Sequence, residues 1–141
     1  MASNIFKKGF TLIELIAVLV VVSVVSLTIG NKFYNSSFAF VQASRDDIIA
    51  ALFFAQQTAM ARDNIQLSIT ANTINVTENG NPIRIHSDAY PLALPSGVNV
   101  TAVPSTYSYD KLGKTTPGSI TVSRDGVSAT ITVEASGYAH Y

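Results

Sequence analysis

The longest apolar run in the chain covers residues 10–30, FTLIELIAVLVVVSVVSLTIG, where 15 of 21 positions are apolar and one, Glu14, is charged. A helix crossing a hydrocarbon core needs about 20 residues at roughly 1.5 Å each, and this run predicts such a helix. Valine is a mediocre helix former in water. In lipid, however, unpaired peptide groups are so costly that a lone segment must be helical. The preceding residues, MASNIFKKG, carry Lys7 and Lys8. A basic pair ahead of the first apolar segment holds the N-terminus in the cytoplasm and sends the rest outward. A secretory signal peptide has a shorter apolar stretch, about 7–15 residues, before a small-x-small cleavage site; Ser26-Leu27-Thr28-Ile29-Gly30 is a poor one. A plain anchor accounts for the length and the lysines but not for the acid. A carboxylate within a spanning segment costs about 3 kcal/mol and marks a functional site that needs a partner.

Helical periodicity then continues without the hydrophobicity. Residues 31–62 contain no proline, and Val41, Ile48, Leu52, Ala55 and Ala59 recur at spacings of seven, four, three and four, forming one stripe. Arg45 interrupts that stripe, while Asp46, Asp47, Gln56 and Gln57 fill the outward face. A continuous helix from Thr11 to Arg62 would hold 52 residues, about 78 Å. Gly30-Asn31 and Asn35-Ser36-Ser37 are its weak points, and Asp63-Asn64 is the expected stop.

After Asn64 the period changes to two. Residues 66–70 and 73–77 alternate on either side of Ala71-Asn72 and predict a hairpin. Glu78 to Pro82 turns the chain into the run Ile83 to His86, and a proline-punctuated stretch leads to residues 98–103. Residues 119–123 and 128–133 flank Arg124-Asp125-Gly126-Val127, a strong hairpin signal. Alternation implies one buried face, so the economical architecture is α+β: a long N-terminal helix with an antiparallel sheet laid against its second half.

Composition sharpens this picture in two ways. The chain has 141 residues, 48% of them hydrophobic and 13% charged, with nine basic and nine acidic side chains and no cysteine. High apolar content is incompatible with a disordered chain. Absence of cysteine removes disulfide staples and thiolate metal sites. Charge neutrality offers no global field for a nucleic acid or an acidic partner.

The segment Lys7-Lys8-Gly9-Phe10-Thr11-Leu12-Ile13-Glu14-Leu15 resembles the processing site of type IV pilins and type II secretion pseudopilins. In that family a prepilin peptidase cuts after the glycine and methylates the new N-terminal residue. The resemblance implies cleavage between Gly9 and Phe10, N-methylation of Phe10, and a role for Glu14 in setting subunit register by pairing with the Phe10 amine of a neighbour. It also implies a leader at 1–9, a transmembrane and assembly helix at 10–30, an amphipathic helix at 31–63 and a β-rich head at 64–141. Many pilins carry a proline near Asn31, and this chain does not. A finer likeness, to the pseudopilin H and FimT group, rests on residues 47–62 and on Tyr109, Gly113 and the ending at Ser136-Gly137. That likeness extends to minor pilins of a mannose-sensitive haemagglutinin-type pilus. The implied function is a minor pilin in pilus assembly, initiation or tip function. The implied partners are other pilin subunits, the peptidase, the inner-membrane assembly platform and, before assembly, lipid, with the head periplasmic. The alternatives are a type II secretion pseudopilin driving export and a DNA-binding minor pilin for natural transformation.

Nothing else in the sequence points to catalysis, a cofactor or a metal. His86 and His140 lack a ligand spacing, and no nucleophile elbow or phosphate loop occurs. The sequon-like triplets at Asn35, Asn75 and Asn99 are of a kind common by chance. Residues 64–141 hold four bases against five acids, with no cluster of cations of the kind phosphate binding requires. Tyr90, Tyr107, Tyr109, Tyr138 and Tyr141 are candidates for a binding face, although tyrosines at strand ends more often pack with a wet hydroxyl.

Overall fold

The computed structural model describes residues 11–30, 36–85 and 88–141, with the side chains of 25–30, 85, 88 and 89 excepted. The chain divides into two compact units, Met1–Asn35 and Ser36–Tyr141. The first contains helix α1 (Leu12–Gly30), and the second begins with helix α2 (Ser36–Ala61). The weak point expected at Gly30-Asn31 leads into residues 31–35, which lie outside the described residues.

On α2 the predicted stripe is buried in full, and Ser44 and Ala51 belong to it as well. Ser44 therefore supplies the step between Val41 and Ile48 that the sequence pattern assigned to Arg45. Arg45 stands beside the stripe instead, its guanidinium 4.1 Å from the ring centre of Tyr141. Small residues along the buried face, Ala51, Ala55 and Ala59, let the helix approach the sheets closely.

Eleven strands follow among the described residues: β1 (Ile65–Ile69), β2 (Thr73–Glu78), β3 (Asn81–Pro82), β4 (Arg84–Ile85), β5 (Asp88–Ala89), β6 (Leu92–Ala93), β7 (Asn99–Val103), β8 (Thr106–Tyr109), β9 (Gly118–Arg124), β10 (Val127–Val133) and β11 (Ala139–His140). All pairings are antiparallel, and there is more than the single sheet expected. One sheet has the order β3-β2-β1-β8 with β6 also on β2, a second has the order β11-β10-β9-β7, and β4 pairs with β5. Helix α2 packs on both larger sheets. Their inward faces, among them Ile65, Leu67, Val76, Ile120, Val122 and Ile131, join the helix stripe in one core.

Two turns set the register. Asn79-Gly80 and Asp125-Gly126 have positive φ at both residues, 51° and 79° in the first and 47° and 81° in the second. This conformation matches the twist of the flanking strands, and Asn-Gly and Asp-Gly tolerate it best. The first of these hairpins pairs Glu78 with Asn81, so Asn81 and Pro82 belong to a strand and not to the broader turn expected. The β1–β2 hairpin turns at Ala71-Asn72, as expected. The strands pair from Ile69↔Ile74, and Thr70 N–H donates to the Thr73 carbonyl at 2.9 Å across the loop.

Strand β8 carries two tyrosines into the core. Tyr107 is wholly buried and Tyr109 nearly so, and neither hydroxyl has a partner among the described protein atoms. Burial raises both phenol pKa values above the ordinary 10, Tyr109 further because Tyr107 lies nearby. A phenol that holds its proton more tightly folded than unfolded contributes fully below about pH 10 and loses that contribution as pH rises further. An unpaired buried hydroxyl is costly, so Tyr107→Phe is expected to leave the melting temperature unchanged or higher at pH 7. The same change should reduce the alkaline loss of stability. Thermal scans from pH 7 to pH 11 check both, and a clear fall in melting temperature at pH 7 would show that the hydroxyl has a partner.

Candidate processing and assembly site

Gly9 and Phe10 lie outside the described residues, so the site is described from Thr11 onward. Glu14 N–H lies 3.3 Å from Thr11 Oγ1 and 3.1 Å from the Thr11 carbonyl, and Leu15 N–H donates to the same carbonyl at 3.2 Å. Thr11 is thus the N-cap of α1 and Glu14 its third helical residue. Threonine followed three positions later by glutamate is the sequence of a capping box, in which the two residues satisfy the helix's first free N–H groups. The helix dipole also favours an acid in that first turn. Thr11, part of the motif at residues 7–15, thus has a capping role as well, for which the Thr-x-x-Glu spacing is the sequence signal.

Beyond the cap, α1 has no polar face. Every leucine, isoleucine and valine from Leu12 to Val24 is exposed. Glu14, Ala17, Val18, Val21 and Val22 follow helical spacing and line a shallow, almost wholly apolar hollow of about 260 Å³. Exposed apolar surface of this extent marks a site of interaction with lipid or protein. Among the described residues no helix is long and apolar enough to cross a membrane. The described α1 side chains run only from Leu12 to Val24, about 20 Å of helix against a core of roughly 30 Å.

The head brings together few of the other candidate residues. Tyr107 and Tyr109 are buried, Tyr90 stacks on Phe54 with ring centres 5.7 Å apart, and only Tyr138 and Tyr141 are mainly exposed. The five tyrosines therefore do not form one face. His140 stacks on Tyr138, and its Nε2 lies 3.4 Å from Glu134. His86 lies outside the described residues. Among the described residues no group of three potential metal ligands occurs.

Two of the head's four basic side chains meet acids, as do two on or beside α2. Arg45 meets Asp46 at 2.8 Å, Arg62 meets Glu78 at 3.1 Å, Lys111 meets Asp63 at 3.0 Å and Arg124 meets Asp125 at 3.4 Å. Each pair has at least one exposed partner and little energetic value singly, but each offsets a charge that phosphate would need.

Residues 6–30 match the family model of the prokaryotic N-terminal methylation motif, a type IV pilin-like prepilin signal. No curated protein and no solved structure matches the chain.

Proposed function

We propose that the chain is a precursor cut between Gly9 and Phe10 by a prepilin peptidase, methylated at Phe10, and assembled as a minor subunit of a type IV pilus. The observation that carries this reading is the methylation motif at residues 6–30, whose described part from Leu12 onward is a helix with apolar side chains exposed around one acid. Before assembly the segment 10–30 anchors the protein in the inner membrane with its head in the periplasm. Afterwards the same apolar surface packs against other subunits, contributing about 25 cal/mol for each Å² removed from its surroundings if those are aqueous, and mainly close packing if they are lipid.

Glu14 and the Phe10 amine set register in this scheme. Both would lie among apolar side chains, where an unpaired charge costs several kcal/mol and a pair offsets much of it. Processing also changes the overall charge. Loss of residues 1–9 removes Lys7 and Lys8, leaving seven basic side chains against nine acidic, a balance of −2 before the new amine is counted. The function is assembly and not catalysis.

The test is the N-terminus of the protein recovered from sheared filaments. Mass spectrometry is expected to find N-methylated Phe10 as the first residue, and a mature chain still beginning at Met1 would overturn the proposal. Recovery only with a secretion apparatus, and loss of export without loss of pili on deletion, would favour the pseudopilin alternative. The head's four bases against five acids, two of the bases already paired, do not favour the DNA-binding alternative.

A further inference from the structure

Two arginines face one groove at the C-terminal end of α2, and the pilus reading uses neither. Arg62 is the first residue beyond α2, its N–H bonded to the Thr58 carbonyl at 2.7 Å. Arg84 begins β4 and pairs with Ala89. Ile83 before it is buried, its N–H donating to the Val76 carbonyl at 2.9 Å and its carbonyl accepting from Tyr90 N–H at 3.3 Å. Side chains alternate along an extended chain, so with Ile83 held in the core Arg84 is exposed.

Two hollows of about 480 and 460 Å³ meet at Arg62, Ile83 and Arg84, volumes in the range of small-molecule sites. The first runs along α2 past Phe54 and Gln57. The second runs along the β2–β3 turn past Glu78, Asn79 and Asn81. Arg62 meets Glu78 at 3.1 Å, whereas among the described residues no acid meets Arg84. The lining thus holds two guanidinium groups and one carboxylate, a surplus of one positive charge. Three amides around it have unused capacity. Asn79 Oδ1 accepts from Asn64 at 2.8 Å, and Asn81 Nδ2 donates to the Asn79 carbonyl at 3.4 Å. That leaves the Asn79 amino group and the Asn81 side-chain oxygen. Gln57 is exposed, and its side chain makes no hydrogen bond among the described residues. An amide offers donor and acceptor side by side, the complement of a hydroxyl, which is both.

We infer that this groove binds a carboxylate-bearing sugar, with the carboxylate on Arg84 beside Arg62 and the hydroxyls on Gln57, Asn79 and Asn81. The inference does not depend on the pilus reading. A guanidinium fork meets a planar carboxylate through two parallel bonds. Charge balance then selects the anion. The surplus of one, reduced by about half a charge by the carbonyls that end α2, suits a monoanion and leaves a phosphate dianion uncompensated beside Glu78. A neutral sugar meets the amides but leaves Arg84 unused. Phe54 and Ile83 give the sugar ring apolar surface.

The test is a titration of the full chain in detergent micelles with glucuronate, glucose and glucose 6-phosphate, which share one ring and differ in charge. The side-chain N–H signals of Arg62, Arg84 and Gln57 are followed by NMR. Glucuronate is expected to shift all three with a Kd of the order of 1 mM, ordinary for a ligand of this size. The other two are expected to bind roughly tenfold more weakly. Arg84→Gln is expected to weaken glucuronate by about tenfold with melting unchanged, because the side chain is exposed. Should that variant melt lower, Arg84→Lys decides: it keeps the charge, loses the fork, and is expected to weaken glucuronate severalfold. Glu78→Gln raises the surplus to two charges and is expected to bring glucose 6-phosphate level with glucuronate. Lys114→Gln, which removes a cation elsewhere on the head, is expected to change nothing. No shift from glucuronate, or unaltered binding in a folded Arg84→Gln or Arg84→Lys protein, would overturn the inference. Glucose or glucose 6-phosphate binding the unaltered chain as tightly as glucuronate would overturn it too. All of these readouts are independent of filament incorporation, so the pilus reading stands or falls separately.

Discussion

Gly137→Ala is expected to destabilise the head by about 3 kcal/mol or more, from the sum of a left-handed backbone and lost hydrogen bonds. Gly137 has φ +84°, where an L side chain costs about 1–2 kcal/mol. A Cβ there would also fall inside van der Waals contact of the Gly113 carbonyl oxygen and of the Gln56 amide. Those two groups form a clamp. Gln56 Nε2 donates to the Gly113 carbonyl at 3.0 Å and to the Ser136 carbonyl at 3.1 Å, tying two turns to α2. The first of these turns is closed by Asp110, whose Oδ1 accepts from Leu112 and Lys114 N–H groups at 2.8 Å each. Gly126→Ala is the control. Gly126 has φ +81°, but nothing lies within 4 Å of its added Cβ, so only the backbone term applies. Thermal unfolding of both variants should separate them by roughly 10 °C for a domain of this size. Equal losses would show that the Gln56 clamp contributes nothing.

Gln56 also shows where the sequence stops being legible. Its heptad position places it on the outward face of α2, and it does lie outside the stripe. What makes it a clamp is two carbonyls 57 and 80 positions away, and no local pattern encodes those. Periodicity worked well where one face alone decides the outcome. The α2 stripe from Val41 to Ala59 is buried, and the Asp125-Gly126 hairpin forms where its turn chemistry requires. It failed where strands are short. Thr106–Tyr109 is four residues between Pro104 and a polar turn, too short to show alternation, yet it is the strand that extends the first sheet and carries Tyr107 into the core. Because β8 and β11 are this short, the pattern implies a single sheet, whereas there are two larger sheets and the small β4–β5 pair. Arg45 was misplaced for a different reason: the heptad count ran through a charged residue while Ser44, small and uncharged, fitted the buried face. At the N-terminal site the motif was legible because it is local in sequence. The cap at Thr11 is local too, and Thr-x-x-Glu gives Glu14 a second role in the first turn of α1.

Glu14→Ala is expected to leave cleavage after Gly9 intact and to lower incorporation into filaments by tenfold or more, because one member of a buried ion pair left alone costs about 3–5 kcal/mol. The structure supplies a competing explanation that must be separated from this one. Glu14 is the third residue of α1, its N–H bonded to the Thr11 cap, so its removal could act by fraying the first helical turn. Glutamine at that position keeps the geometry of a capping box but has no charge. Glu14→Gln is therefore expected to be as defective as Glu14→Ala if register depends on the charge, and close to wild type if it depends on the cap. Thr11→Ala removes the cap alone, an effect of about 1 kcal/mol, and is expected to reduce incorporation much less than either Glu14 variant. Quantifying each variant in sheared filaments, against total processed protein in the membrane, gives the ranking. Normal incorporation of Glu14→Gln would remove the amine–carboxylate pair from the assembly scheme, since a neutral amide can accept a hydrogen bond from the Phe10 amine of a neighbour but cannot balance its charge.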